Sequence, residues 1–294
     1  MKNSNRVIFS KGNGGLQKID IHTQWSDAEV YLNGAHVTHF QRKGEPPLLF
    51  LSGQSKFQNG QPIRGGVPII FPWFGAHEGK PMHGFARTQT WELKEISHAA
   101  DGVTLQLSLP DSPESAEFPE LTAEYFVTVG ETLLLELRIT NRSNVNLSFE
   151  NCLHTYFTVG DVNGIQVAGL KGAEYLDKVE NFARKQEATE QIIISGETDR
   201  VYLSTTGTVE IRDLKLLRKI IVEKEGSRST VLWNPWIAKA KAMADFGDEE
   251  YLRMVCVESG NVSENKLVLP PGKTTSLKVN LRSELTGGTR VPPG

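Results

Sequence analysis

Residues 124–140 read EYFVTVGETLLLELRIT, and this stretch decides the fold class. On both sides of Gly130, aromatic and apolar side chains alternate with polar ones, the period of a half-buried strand. The VGET step at 129–132 turns the chain back as a hairpin. Outward from it the same signal recurs in VTLQLSL at 103–109, in IIIS near 193 and in TTSLKVNLRS near 278, with Asn-Gly, Asp-Gly and Glu-Gly steps as turns. Helical periodicity is scarce. Its best candidate is PWIAKAKAMADF at 235–246, where Pro235 opens a short helix and Gly247 closes it. Strands without βαβ alternation argue against a doubly wound parallel sheet. They predict an all-β fold, a large antiparallel β-sandwich with few short helices.

A chain of 294 residues with 38% hydrophobic content can bury a sizeable core. All-β folds of this size often form one domain. With no fixed-period repeat and no linker, a single domain over 1–285 is expected, and TGGTRVPPG at 286–294 reads as a flexible tail. Lys+Arg 32 against Asp+Glu 35, a net charge of -3 without a basic block, argues against a nucleic-acid partner. The start MKNSNRVIFS has no apolar signal region, and no run reaches the roughly 18 apolar residues of a membrane helix. A cytoplasmic protein outside the membrane is expected. Two cysteines, Cys152 and Cys256, are too few for a disulfide framework or a metal cluster.

Four segments carry chemistry-bearing residues. IRGGVPIIFPWFG at 63–75, with paired glycines and two prolines, must be a shaped loop. It reads either as an apolar plug or, through Arg64 beside glycine, as part of an anion site. MHGFAR at 82–87 offers His83 and a second glycine-flanked arginine, Arg87. His154 lies in SFENCLHTYFTV, 148–159, whose composition predicts a strand; a lone strand histidine is as a rule structural. In MVCVESGNV, 254–262, Glu258 falls where Ser259, Gly260 and Asn261 break a strand pattern, at a cleft or at a solvated strand end. Asp199, in SGETDRVY at 195–202, reads first as a turn or cap aspartate.

Taken together and in order, IRGGVPIIFPWFG, HGFAR, ENCLHTYF, SGETDRVY, VLWNPW and VCVESGNV resemble the hexose-6-phosphate mutarotases, or glucose-6-phosphate 1-epimerases, of the galactose-mutarotase-like superfamily. The resemblance covers most of the chain. It implies the supersandwich fold and a cofactor-free aldose 1-epimerase reaction without a metal. It also implies a catalytic histidine matching His154 and a catalytic glutamate matching Glu258, with substrate contacts at positions matching Arg64, Arg87 and Asp199. His83 is added as a possible orienting residue.

Anomer exchange needs one base to take the C1 hydroxyl proton and one acid to protonate the ring oxygen. Glu258 is expected as base and protonated His154 as acid, with Trp73, Phe74 or Trp236 as an apolar wall for the sugar. The expected partner is a sugar phosphate, and the expected state a monomer or weak dimer. Two other readings stay open: a mutarotase of free aldoses, and a carbohydrate-binding protein without turnover. A glycoside hydrolase fits less well, since its usual pair is two carboxylates. Cys152 and Cys256 each stand two residues before a site residue. They would approach each other if their strands ran in the same direction, and are expected to be inert thiols.

Overall fold

The computed structural model describes residues 5–286 apart from 113, 114, 116, 117 and 119. Among the described residues the strands form nine-, eight-, four- and two-stranded sheets, and every paired strand runs antiparallel. The diagnostic stretch forms the strands Leu121–Val129 and Leu133–Asn141. They pair from Val129 opposite Leu133 out to Leu121 opposite Asn141, so the hairpin loop is the three residues 130–132. Ala123, Tyr125 and Val127 face inward from one strand and Leu135, Leu137 and Ile139 from the other, all buried. That alternation is the sequence period made visible.

A single apolar cluster holds inward residues of both large sheets, among them Tyr125, Leu135, Phe157, Tyr202, Val255 and Val257. This is the core of the sandwich. The eight-stranded sheet is covered on its other face as well, where two smaller clusters lie, one around Tyr156, Trp233 and Cys256, the other around Ile70, Cys152 and Val231. Loop 63–75 helps to cover that face. It is not wholly irregular, because Ile69–Ile70 pairs with Leu153 and Cys152 as an edge strand. His36 Nε2–H donates to Gly65 O (2.7 Å) and pins the loop from beneath.

Two local expectations differ from the structure. The IIIS run contributes only Ile192, the end of the two-residue strand Gln191–Ile192, and Ile193 turns outward, 59% exposed. The helix spans Trp236–Ala242 and stops well before Gly247. The next residues fold back through Phe246, whose ring packs beside Phe50 at 5.8 Å. Burying that ring outweighs one more helical turn. Of the expected tail, 287–294 lie outside the described residues, while the Thr286 N–H still donates to Leu217 O (2.8 Å). No helix among the described residues is long and apolar enough to cross a membrane.

The loop 63–75 and the segment 82–88 are joined at one tight point. Phe71 O accepts from Phe85 N (3.1 Å), and Gly84 passes beneath it with φ +75°. A Cβ on Gly84 would lie 2.0 Å from that oxygen. Gly84→Ala is therefore expected to cost roughly 1–3 kcal/mol from backbone strain alone. Urea unfolding measures it; parental stability would show that the two segments separate without penalty.

Candidate active site

The strand Met254–Asn261 is buried along its whole length. Val255 and Val257 face the core, and the two-residue period turns Cys256 and Glu258 to the opposite face. Glu258 stands mid-strand, opposite Val231, and not at the strand end that Ser259-Gly260-Asn261 suggested. Those three residues continue the ladder, because Gly260 and Asn261 pair with Cys152 and Asn151. The two thiol-bearing strands thus run antiparallel, and Cys152 lies opposite Gly260 instead of beside Cys256.

His154 is likewise not on a strand. It falls in the break between Asn151–Leu153 and Tyr156–Thr158, two short strands that both pair with Met254–Asn261. Its N–H donates to Pro68 O (3.0 Å), so loop 63–75 fixes it where the ladder does not. The imidazole Nε2 lies 3.2 Å from Glu258 Oε1. The Tyr156 ring stacks on the imidazole at 4.8 Å, 10° from parallel, and Trp233 meets both rings edge-on.

The other expected residues gather around this pair. Arg64 Nη1 donates to Tyr156 Oη (3.1 Å), and its Nε and Nη2 grip Asp245 at 3.2 and 3.1 Å. Arg87 Nη2 donates to Met82 O (2.7 Å), while its Nε is buried without a hydrogen-bond partner. His83 lies 5.9 Å from the His154 ring and accepts at Nδ1 from Gly75 N–H (3.1 Å), which leaves its proton on Nε2. Asp199 is not a turn residue; it sits on the strand Thr198–Leu203, 7% exposed, with Lys178 Nζ at 3.2 Å and Lys239 Nζ at 3.9 Å. A cavity of about 420 Å³ is lined by His83, Phe74, Lys178, Glu150, Met82 and Phe182 among others.

Of the aromatic candidates, Phe74 lines this cavity beneath Lys178. Trp73 is buried, donating to Pro81 O (2.9 Å) and packing on Phe85, and Trp236 packs on Tyr251. Trp233 serves the imidazole instead. Sequence reasoning also missed Tyr156, Lys178, Asp245 and the Cys152 contact. The spacing of Tyr156, two residues past His154, could have flagged it; nothing local marks Lys178 or Asp245.

Burial sets the protonation of the pair. It pushes the Glu258 carboxyl well above its usual range, and Asp199 pushes it the same way. Burial depresses His154 well below the usual histidine value, reinforced by His83, Arg87 and Arg64. His83 itself is lowered to about 2 by burial, then by Arg87 and Lys178. Without a ligand the His154–Glu258 pair therefore carries one proton and no net charge. Such a pair can deliver a proton and accept one at adjacent points, with His83 between the imidazole and a cavity that Lys178 also lines.

His154, Cys256 and Glu258 offer three metal-ligand atoms within 4.8 Å of one another. Burial and then Glu258 push the Cys256 thiol well up, so it is a thiol beside the pair.

A family model described as Aldose 1-epimerase matches residues 17–282. This chain belongs to the aldose 1-epimerase family. Relatives from Escherichia coli (strain K12), 39% identical over 246 residues and 82% of each chain, and from Cenchrus ciliaris, 35% identical over 88% of this chain and 82% of the other, both carry the name "Putative glucose-6-phosphate 1-epimerase". A solved structure described as a "putative mutarotase" from Salmonella typhimurium is 31% identical, with TM-score 0.88, covering 95% of this chain and 94% of the other. The chain is thus an isomerase, an epimerase acting at the anomeric carbon of a sugar.

In this epimerase the buried carboxyl leaves a signature in stability. Because the folded-state pKa of Glu258 is raised, its contribution is fully present below the unfolded value of about 4.3 and is lost as pH rises through the folded value. Glu258→Gln removes that loss. Its melting temperature should gain on the parent's by a margin that widens as pH rises above the unfolded value of about 4.3. A margin independent of pH would contradict the neutral buried carboxyl.

Proposed function

We propose that the epimerase interconverts the α and β anomers of a hexose 6-phosphate, glucose 6-phosphate favoured, with His154 and Glu258 as its acid–base pair. The observation that carries the specificity is Arg87. Its half-buried side chain keeps a buried, unpartnered Nε and has no carboxylate partner among the described residues, and it stands close enough to depress His154. A dianionic phosphate supplies what that group lacks.

The phosphate also explains how a neutral pair becomes an active one. Arg87 and Arg64 disfavour charge on His154, and an anion bound to them cancels that effect. The proton then crosses the 3.2 Å contact from Glu258 to His154. Glu258, now a carboxylate, takes the C1 hydroxyl proton while His154 protonates the ring oxygen, and the ring opens to an aldehyde. Rotation about C1–C2 and reclosure, with the transfers reversed, give the other anomer. Asp199 accepts from sugar hydroxyls, and His83 donates through Nε2. The active free enzyme is the singly protonated pair, so kcat/KM falls when the pair gains a second proton and when it loses its only one, a bell belonging to the pair.

The second reading, a mutarotase of free aldoses, draws support from Arg64, whose guanidinium is already held by Asp245 and Tyr156. Anomer exchange of glucose 6-phosphate and free glucose, followed by exchange NMR, separates the two. His154→Ala and Glu258→Gln should each lower kcat at least about 10²-fold on either sugar. Near-parental exchange by either variant removes that residue from the chemistry.

Arg87→Ala should cost roughly 1.5–3 kcal/mol in kcat/KM for the sugar phosphate and much less for the free sugar. Arg64→Ala should discriminate less, because Asp245 already offsets its charge. If Arg87→Ala affects both sugars equally, the free-aldose reading is the better one.

A further inference from the structure

We propose that Cys152 is a positioning residue of the epimerase: its thiol, donating to Oε2 of Glu258, holds the carboxyl so that Oε1 faces His154. The inference rests on Glu258 and His154 being the acid–base pair. The contact is Sγ to Oε2 at 3.5 Å, within the range of a sulfur hydrogen bond. It is the hydrogen bond that Oε2 receives among the described residues, and Oε1 has the His154 contact. The two carboxyl oxygens therefore have different work.

The backbone is shaped for this reach. Cys152 lies opposite Gly260, two residues beyond Glu258 on the same strand, so the thiol crosses the pair diagonally. It can do so because Gly260 has no side chain: a Cβ there would lie 2.7 Å from Cys152 Cβ and 2.4 Å from Asn151 O. Cys152 is 0% exposed among Ile70, Val201, Val231 and Val262. Burial and Glu258 hold it as a thiol, a donor and not a nucleophile.

The consequence for the chemistry follows from donation to one oxygen. With Oε2 accepting from sulfur, the carboxyl proton belongs on Oε1, aimed at His154 Nε2. When that proton leaves, the S–H bond strengthens on the carboxylate, as charge-assisted bonds do. Cys152 thereby favours the form in which Glu258 is the base. The groups facing Glu258 from the surrounding elements are His154, Cys152, Cys256, Asp199, Lys178 and Arg87, and the test alters only the thiol.

In Cys152→Ala the pair should lose its last proton less readily, so the basic limb of kcat/KM should move up by roughly half a pH unit and kcat fall about 3- to 10-fold. Cys152→Ser, which keeps a donor, should restore most of both. A rate loss with both limbs unmoved and no recovery by serine would reduce Cys152 to packing and overturn the proposal. The contact is also read without turnover. The S–H stretching band assigned by its loss in Cys152→Ser should shift in Glu258→Gln, and an unmoved band would overturn the proposal even if the alanine variant does not fold. Full activity in Glu258→Gln would instead sink the acid–base reading on which it rests.

Discussion

The structure turns on the burial of one carboxyl group. Glu258 is 1% exposed in the middle of a strand whose two faces are both covered. An isolated carboxylate there would carry a desolvation penalty far larger than the whole stability of a domain, so the group must be protonated, paired or both. His154 at 3.2 Å makes that possible, since one shared proton leaves two neutral partners. Much around the pair follows from this requirement. Loop 63–75 and segment 82–88 exclude water from the pair, and Pro68 O, Phe71 O and Gly84 lock these pieces to the sheet and to each other.

The cations around the pair are not equivalent. Arg64 has Asp245, Lys178 has Asp199, and Lys239 has Glu197 and, more distantly, Asp199. Arg87 alone among these four lacks a carboxylate among the described residues. A half-buried guanidinium whose Nε is shut off from water without a partner is held at a cost to the fold, and burial already lowers its pKa to about 10. Such a cost is what a binding group carries before its ligand arrives. Arg64, gripped at three atoms by Asp245 and Tyr156, is better suited to orient than to capture.

The fold was legible in the sequence because burial on one face writes a period of two, as in residues 121–140, and the hairpin and sandwich follow from it. The order of six motifs pointed to His154, Glu258, Arg64, Arg87 and Asp199, with His83 added from its own loop, and these side chains come together from segments far apart in the chain. Positions within elements were read less well. The pattern around Glu258 suggested a strand end because Ser, Gly and Asn are poor strand formers. Gly260 is there for a different reason, the close crossing of Cys152. A strand was read through His154 because its neighbours favour β structure, whereas the chain breaks there to change pairing partners along Met254–Asn261. Lys178 and Asp245 were silent, since their contacts span dozens of residues of chain and leave no local pattern.

That break at His154 connects architecture to chemistry. In an unbroken ladder, successive side chains alternate between faces, and a residue's direction is set by its parity in the strand. Leaving the ladder at 154–155 frees the imidazole from that constraint, and Pro68 O then sets its place from loop 63–75 instead. Glu258 has the opposite arrangement: it pairs with Val231 on one side of its strand, and on the other side the residues before and after it, 254–256 and 259–261, are paired, so it can hardly move. One member of the pair is thus fixed by the sheet, the other by a loop that also carries Arg64 and borders the Arg87 segment. An anion that draws on those arginines pulls on the same loop that holds the imidazole. In the proposed reading, charge and position at His154 are coupled to the ligand through this loop and the segment it borders, while the carboxyl provides the fixed reference against which they are set.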